Sequence, residues 1–193
     1  MTPVKQLGYV FGALILAACV QLGSPAPDQQ FYLLEVDSDR TRIQSDRAVV
    51  LAIDLAGFPD YLKRAPVVAK GPNHQIRFSD THRWAEPLDS ALVATLQRSL
   101  QLQLPAATIL VHPWENPRLP DYRLRLTVID FSGVLGETLD LRIRWQLSDN
   151  NGHLWQGTYS DNRSTGNSYG DLVAALNAGV NAFSKNVGKM LAN

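Results

Sequence analysis

Leu88, Leu92, Leu96 and Leu100 recur at every fourth position, and a second set, Leu172, Leu176, Val180, Phe183, Val187 and Leu191, keeps helical spacing to near the end of the chain. Side chains three and four apart share one side of an α-helix, so each set predicts an amphipathic helix with one apolar face. The first helix is expected from Pro87, a residue suited to the first helical position, to about 103, and the second over 169–191. Elsewhere the period falls to two, or the chain runs continuously apolar. Strands are predicted at 31–36, 48–56, 65–70, 74–79, 107–112, 121–133, 138–149 and 153–162.

The last three strands can be placed in register. Turning the chain near Leu135-Gly136 sets Tyr122, Leu124, Leu126 and Val128 on the same face as Leu141, Ile143, Trp145 and Leu147, and leaves Arg123, Arg125, Arg142 and Arg144 on the other. Trp155 and Tyr159 join the apolar face only if the next loop has three residues, Asn150-Asn151-Gly152. Glycine at its last position is what a type I turn followed by a bulge requires. The four arginines are either a solvated sheet face or a surface for acidic groups, and the solvated face is the default. The fold class expected is α+β: a mostly antiparallel sheet, with a mixed sheet as the alternative, carrying both amphipathic helices on one face as a two-layer sandwich.

Near the start a different apolar run stands out. Lys5 is its only charge, Leu7 to Leu16 are largely apolar, small residues follow at Ala17 and Ala18, and then comes Cys19, the only cysteine of the 193 residues. A lone cysteine can form no internal disulfide, and a structural zinc site needs about four ligands. The run is well short of the roughly 20 residues of a membrane-spanning helix and has the layout of a signal peptide. Leu16-Ala17-Ala18-Cys19 resembles the lipobox of bacterial lipoproteins, cut before the cysteine, which then carries acyl chains. Two or more such chains hold firmly, at about 0.8 kcal/mol per buried CH₂. Val20, rather than Asp, favours sorting to the outer membrane. The stretch Val20 to Gln30 is polar and proline-containing, and spans at most about 40 Å. The organisation expected is a signal peptide over 1–18, a lipidated tether over 19–30 and one periplasmic domain over 31–193.

Charge and motifs narrow the function further. Without Lys5, the 18 basic and 18 acidic residues become 17 and 18, a net −1 that argues against nucleic acid as a partner. Gly166 to Gly170, GNSYG, fits the G-x-S-x-G pattern of hydrolases. All four histidines, His74, His82, His112 and His153, precede Ser168, whereas in those enzymes the histidine follows the serine. Ser168 and Asp171 form instead a capping-box-like helix start. No metal-ligand spacing, cofactor motif or catalytic set is present, and the protein is read as a non-enzyme.

FPDYLKRAPVV (58–68), THRWAEPLD (81–89), VHPWENPRLPDYRLRLTVIDFSG (111–133) and the long final helix resemble, in that order, the PqiC/YmbA family of auxiliary lipoproteins of ABC-type intermembrane transport. Lys63 departs from the pattern, which often has an acid after Tyr-Leu. The resemblance implies a non-enzymatic subunit at the periplasmic face of the outer membrane, held there by lipid through Cys19. Its partner would be a PqiB-like MCE-domain protein that forms a tube across the periplasm, and a homo-oligomeric ring would suit the tube's end. His82, Arg83 and Trp84, with Tyr61 in the aromatic FPDYL loop, are the candidate partner contacts. The structural alternative is that Trp84 is core and Glu86 and Pro87 only start the helix. A lipid-binding carrier with an apolar cavity is the other function considered.

Overall fold

The computed structural model describes residues 27–37, 43, 47–113 and 119–192, so the readings placed on residues 1–18 and on Cys19 lie outside the described residues. Along the chain run β1 (Gln30–Tyr32), β2 (Val50–Gly57), a 3₁₀ turn (Asp60–Lys63), β3 (Pro66–Lys70), β4 (Ile76–Trp84), α1 (Leu88–Gln103), β5 (Thr108–Val111), β6 (Tyr122–Gly133), β7 (Leu139–Asp149), β8 (Leu154–Asp161) and α2 (Tyr169–Ala192). Element types follow the hydrophobic pattern. Pro87 lies one residue before α1 and its carbonyl accepts from Ala91 N–H at 2.9 Å, while no side chain caps that end.

The pairing of the strands departs from the expected single, mostly antiparallel sheet. There is a three-stranded sheet, β1-β4-β3, and a five-stranded one, β5-β2-β6-β7-β8. The contacts β1–β4, β2–β5 and β2–β6 are parallel, and β3–β4, β6–β7 and β7–β8 antiparallel, so both sheets are mixed. Every parallel contact joins strands far apart in sequence, with β2 inserted between the later β5 and β6. A period-two pattern says which face of a strand is buried but nothing about its neighbour or direction.

Helix α1 packs on β2 and β5, α2 packs on β6 and β7, and the helices pack on each other. Leu92, Leu96 and Leu100 of α1 and Leu172, Leu176, Val180, Phe183 and Val187 of α2 enter one core with Leu124, Leu126, Leu141 and Ile143 of the large sheet. Each such side chain contributes about 1.5–3 kcal/mol relative to exposure. The meander register is as read from Leu124↔Leu147 to Val128↔Ile143, and Arg123, Arg125, Arg142 and Arg144 are exposed on the far face. Beyond Val128 a bulge shifts the register by one, to Asp130↔Arg142 and Phe131↔Leu141. Without that extra residue Asp130 would point into the core and Phe131 out of it. The 150–152 loop has the expected form: Asp149 N–H donates to His153 O at 3.2 Å, and Gly152 adopts φ +86°.

Candidate functional site

The chain enters the domain through β1 and continues as an extended strap to Asp37. Its exposure alternates, Tyr32, Leu34 and Val36 turned inward and Phe31, Leu33, Glu35 and Asp37 outward. The strap is fastened to both helices. Thr95 of α1 donates to Leu34 O at 3.1 Å, and Asn181 of α2 donates to Glu35 O at 2.9 Å. Glu35 N–H donates to Asn177 Oδ1 at 2.8 Å and Asp37 N–H to Asn181 Oδ1 at 3.0 Å. Asparagine is a poor helix former, and two of them four apart on α2 were the signal that something outside the helix needs their amides. The sequence reading missed it.

His82, Arg83 and Trp84 are brought together, as the strand to which the strap attaches: Gln30, Phe31 and Tyr32 pair in parallel with them, in that order. The strand reading stopped at 79, whereas β4 continues through a bulge in which Ser79 Oγ accepts from Thr81 N–H at 3.3 Å and His82 N–H at 3.0 Å. The His82 ring is stacked between Tyr32, at 5.6 Å, and Tyr169 at the start of α2, at 5.1 Å. Its Nδ1 lies 2.7 Å from the Tyr32 hydroxyl, which is also 2.8 Å from Gln30 Oε1. That hydroxyl has one proton, so when it donates to Gln30 the His82 nitrogen carries the hydrogen between them. Trp84 is 5% exposed and sits edge-on to Phe131 at 6.3 Å, which makes it core rather than contact surface. Arg83 is half-buried, its Nε enclosed with no hydrogen-bond partner.

Tyr61 lies apart from this cluster. It is half-buried in the 3₁₀ turn beside an ion network in which Lys70 of β3 meets Asp130 of β6 at 2.9 Å and Asp140 of β7, and Arg142 meets both carboxylates. Burial first, and then the Asp130 charge, push the Tyr61 hydroxyl's pKa up. Burial disfavours the Lys70 ammonium, yet its bonds to Asp140 and Asp130 outweigh that and raise its pKa. Two cations and two carboxylates balance, so the network joins the two sheets without leaving a net charge. Lys63, the departure from the family pattern, pairs within its own turn with Asp60 at 2.6 Å.

At the opposite end of α2, about 32 Å from Tyr169 at 1.5 Å per residue, lies a pocket of about 290 Å³ lined by Arg47, Tyr122, Trp145, Leu147, Trp155 and Met190. Trp155 takes the apolar face predicted for it but is 46% exposed, because β8 is an edge strand. Gly157 stands opposite Trp145, and a β-carbon there would come within 2.9 Å of the indole. Glycine lets that ring lie flat on β8 and form the pocket wall.

Ser168 is a helix cap. Its Oγ accepts from Asp171 N–H at 3.1 Å, and Asp171 Oδ2 accepts from Ser168 N–H at 3.1 Å and from the serine hydroxyl at 2.7 Å. Those bonds hold the Asp171 carboxyl below the usual range. Among the described residues no group of three or more His, Cys, Asp or Glu could hold a metal ion, and no helix is long and apolar enough to cross a membrane.

A model of the family described as "ABC-type transport auxiliary lipoprotein component" matches residues 32–188. No curated protein matches the chain. Among solved structures, an uncharacterized protein is similar at 23% identity with a TM-score of 0.70, covering 85% of this chain and 99% of its own. Protein XCC0632 from Xanthomonas campestris is similar at 12% identity with a TM-score of 0.66, covering 82% and 92%. At these identities the likeness establishes the fold.

Proposed function

The chain belongs to the ABC-type transport auxiliary lipoprotein components, and from that premise we propose that it is the outer-membrane end of an MCE-type lipid transport system. Acylated Cys19 holds it at the periplasmic face, and the domain docks the far end of a PqiB-like MCE tube without catalysing a reaction. The observation that carries this reading is how the chain enters the domain. The strand that follows the tether is paired along β4, stacked through Tyr32 on His82, and hydrogen-bonded to both helices. A domain that must resist being pulled from its anchor needs its entry strand secured in this way, and the HRW stretch supplies that attachment in place of a partner contact. The pocket of Trp145 and Trp155, some 30 Å further along α2, is then free to face away from the anchor. A ring of copies fits the end of a tube.

Among the described residues, the groove beside the strap does not suit the carrier reading. The groove beside the strap holds about 520 Å³, is open to solvent, and has Glu35, Glu86 and Arg98 on its walls.

The test is a detergent-solubilised pull-down of full-length tagged protein from native membranes, with Cys19→Ala as control and mass spectrometry as readout. Recovery of an MCE-domain protein, weakened in the control, is expected. Recovery of no transport component overturns the docking role.

A further inference from the structure

Of the seven large apolar side chains exposed among the described residues, three gather where the tether joins the domain: Phe31 at 63%, Leu33 at 47% and Leu102 at 43%. Phe31 and Leu33 point outward from the strap, and Leu33 and Leu102 line the same groove. An aromatic side chain presents about 150–250 Å², so Phe31 by itself leaves on the order of 100 Å² of apolar surface in water. Along the strap's outward edge the chemistry then changes sign, from Phe31 and Leu33 to Glu35 and Asp37. Arg83 stands in register beside Phe31. The end nearest the tether is therefore apolar with a basic neighbour, and the end away from it is acidic.

The chain leading to this face decides what covers it. Only residues 20–30 separate Cys19 from Phe31. A chain of that length cannot exceed about 40 Å. A short link of this kind holds the face at millimolar effective concentration over the surface that carries the acyl chains, so even weak apolar contacts are made. An anionic bilayer attracts Arg83 and repels Glu35, while the Asp37 charge is offset by Lys185 at 3.6 Å, and this turns the strap's first residues downward. We propose that Phe31 and Leu33, at the tether end of the strap, rest on the lipid surface that holds Cys19, so that the domain stands on its membrane in one orientation. This rests on the anchored-lipoprotein reading above.

Cys19 is the only cysteine and its thiol is consumed by acylation, so one introduced cysteine can be labelled uniquely. Lipidated full-length protein bearing Phe31→Cys, Leu33→Cys or, as control, Thr158→Cys on exposed β8 is labelled with an environment-sensitive fluorophore. It is then placed on phosphatidylethanolamine/phosphatidylglycerol vesicles containing a headgroup nitroxide lipid. Labels at 31 and 33 are expected to shift to the blue and lose emission to the nitroxide, while the label at 158 does neither. Labels at 31 and 33 quenched no more than the one at 158 overturn the proposal, and a blue shift without lipid quenching overturns it in favour of a protein cover. Protein that fails to float with the vesicles at all removes the anchor reading and the face together, whereas floating protein with unquenched labels removes the face alone.

Discussion

Replacing Trp84 with alanine separates the two roles open to the HRW stretch. The side chain is 5% exposed and lies against Phe131 within the core. A tryptophan of roughly 200–250 Å², almost wholly removed from water at about 25 cal/mol per Å², gives about 5–6 kcal/mol. A compact unfolded chain already hides 10–40% of such area, which brings the figure to about 4 kcal/mol, within the range of about 3–5 measured for large-to-small core changes. In a domain of this size each kcal/mol moves Tm by about 2–4 °C, so Trp84→Ala lowers Tm by about 8–16 °C, read by circular dichroism and checked by the urea midpoint. Trp155→Ala, at 46% exposure, loses a little over half as much by the same area reckoning. A Trp84→Ala protein that melts within about 3 °C of the parent but no longer recovers its partner would refute the core assignment and restore Trp84 as a contact residue.

Other consequences follow from the site. Asn177→Ala with Asn181→Ala removes the side-chain bonds that hold Leu33, Glu35 and Asp37 to α2; at about 1 kcal/mol per bond the strap detaches first, and limited proteolysis cuts within 31–37 while the core persists. The Asp161 carboxyl is pushed up by burial but more strongly held down by its bonds from Arg163, with a further bond from the Tyr159 hydroxyl. Its proton is then bound more readily by the unfolded chain, so its contribution is complete above the ordinary aspartate value of about 4 and is lost as pH falls below it. The urea midpoints of parent and Asp161→Asn should differ at pH 6 and converge in acid, and a pH-independent gap would contradict the assignment. Ser168→Ala costs about 1 kcal/mol through loss of the cap, and the parent should not react with a fluorophosphonate; labelling at Ser168 would reopen the hydrolase reading.

Much of this protein was legible from its residues. Four-residue spacing of leucines placed the first helix and three- and four-residue spacing of Leu, Val and Phe the second, alternation placed the strands, and turn chemistry at Asn150 to Gly152 set the face on which Trp155 lies. These features are local: a helix or strand exposes its period within its own sequence, and a glycine at positive φ announces its turn. The lipobox-like run lies outside the described residues.

What the tertiary structure decided was non-local. No property of β2 says that β5 and β6 will flank it in parallel, since a buried apolar strand can pair in either direction. One extra residue after Val128 turned Asp130 toward Lys70 and Phe131 into the core, a change of face that alternation by itself would have reversed. His82, Arg83 and Trp84 have the composition of an interface anchor, yet the chain's own first strand, fifty residues earlier, takes that place. Asn177 and Asn181 become meaningful only once the strap lies across them, because the burial of any side chain depends on which distant segment arrives to cover it.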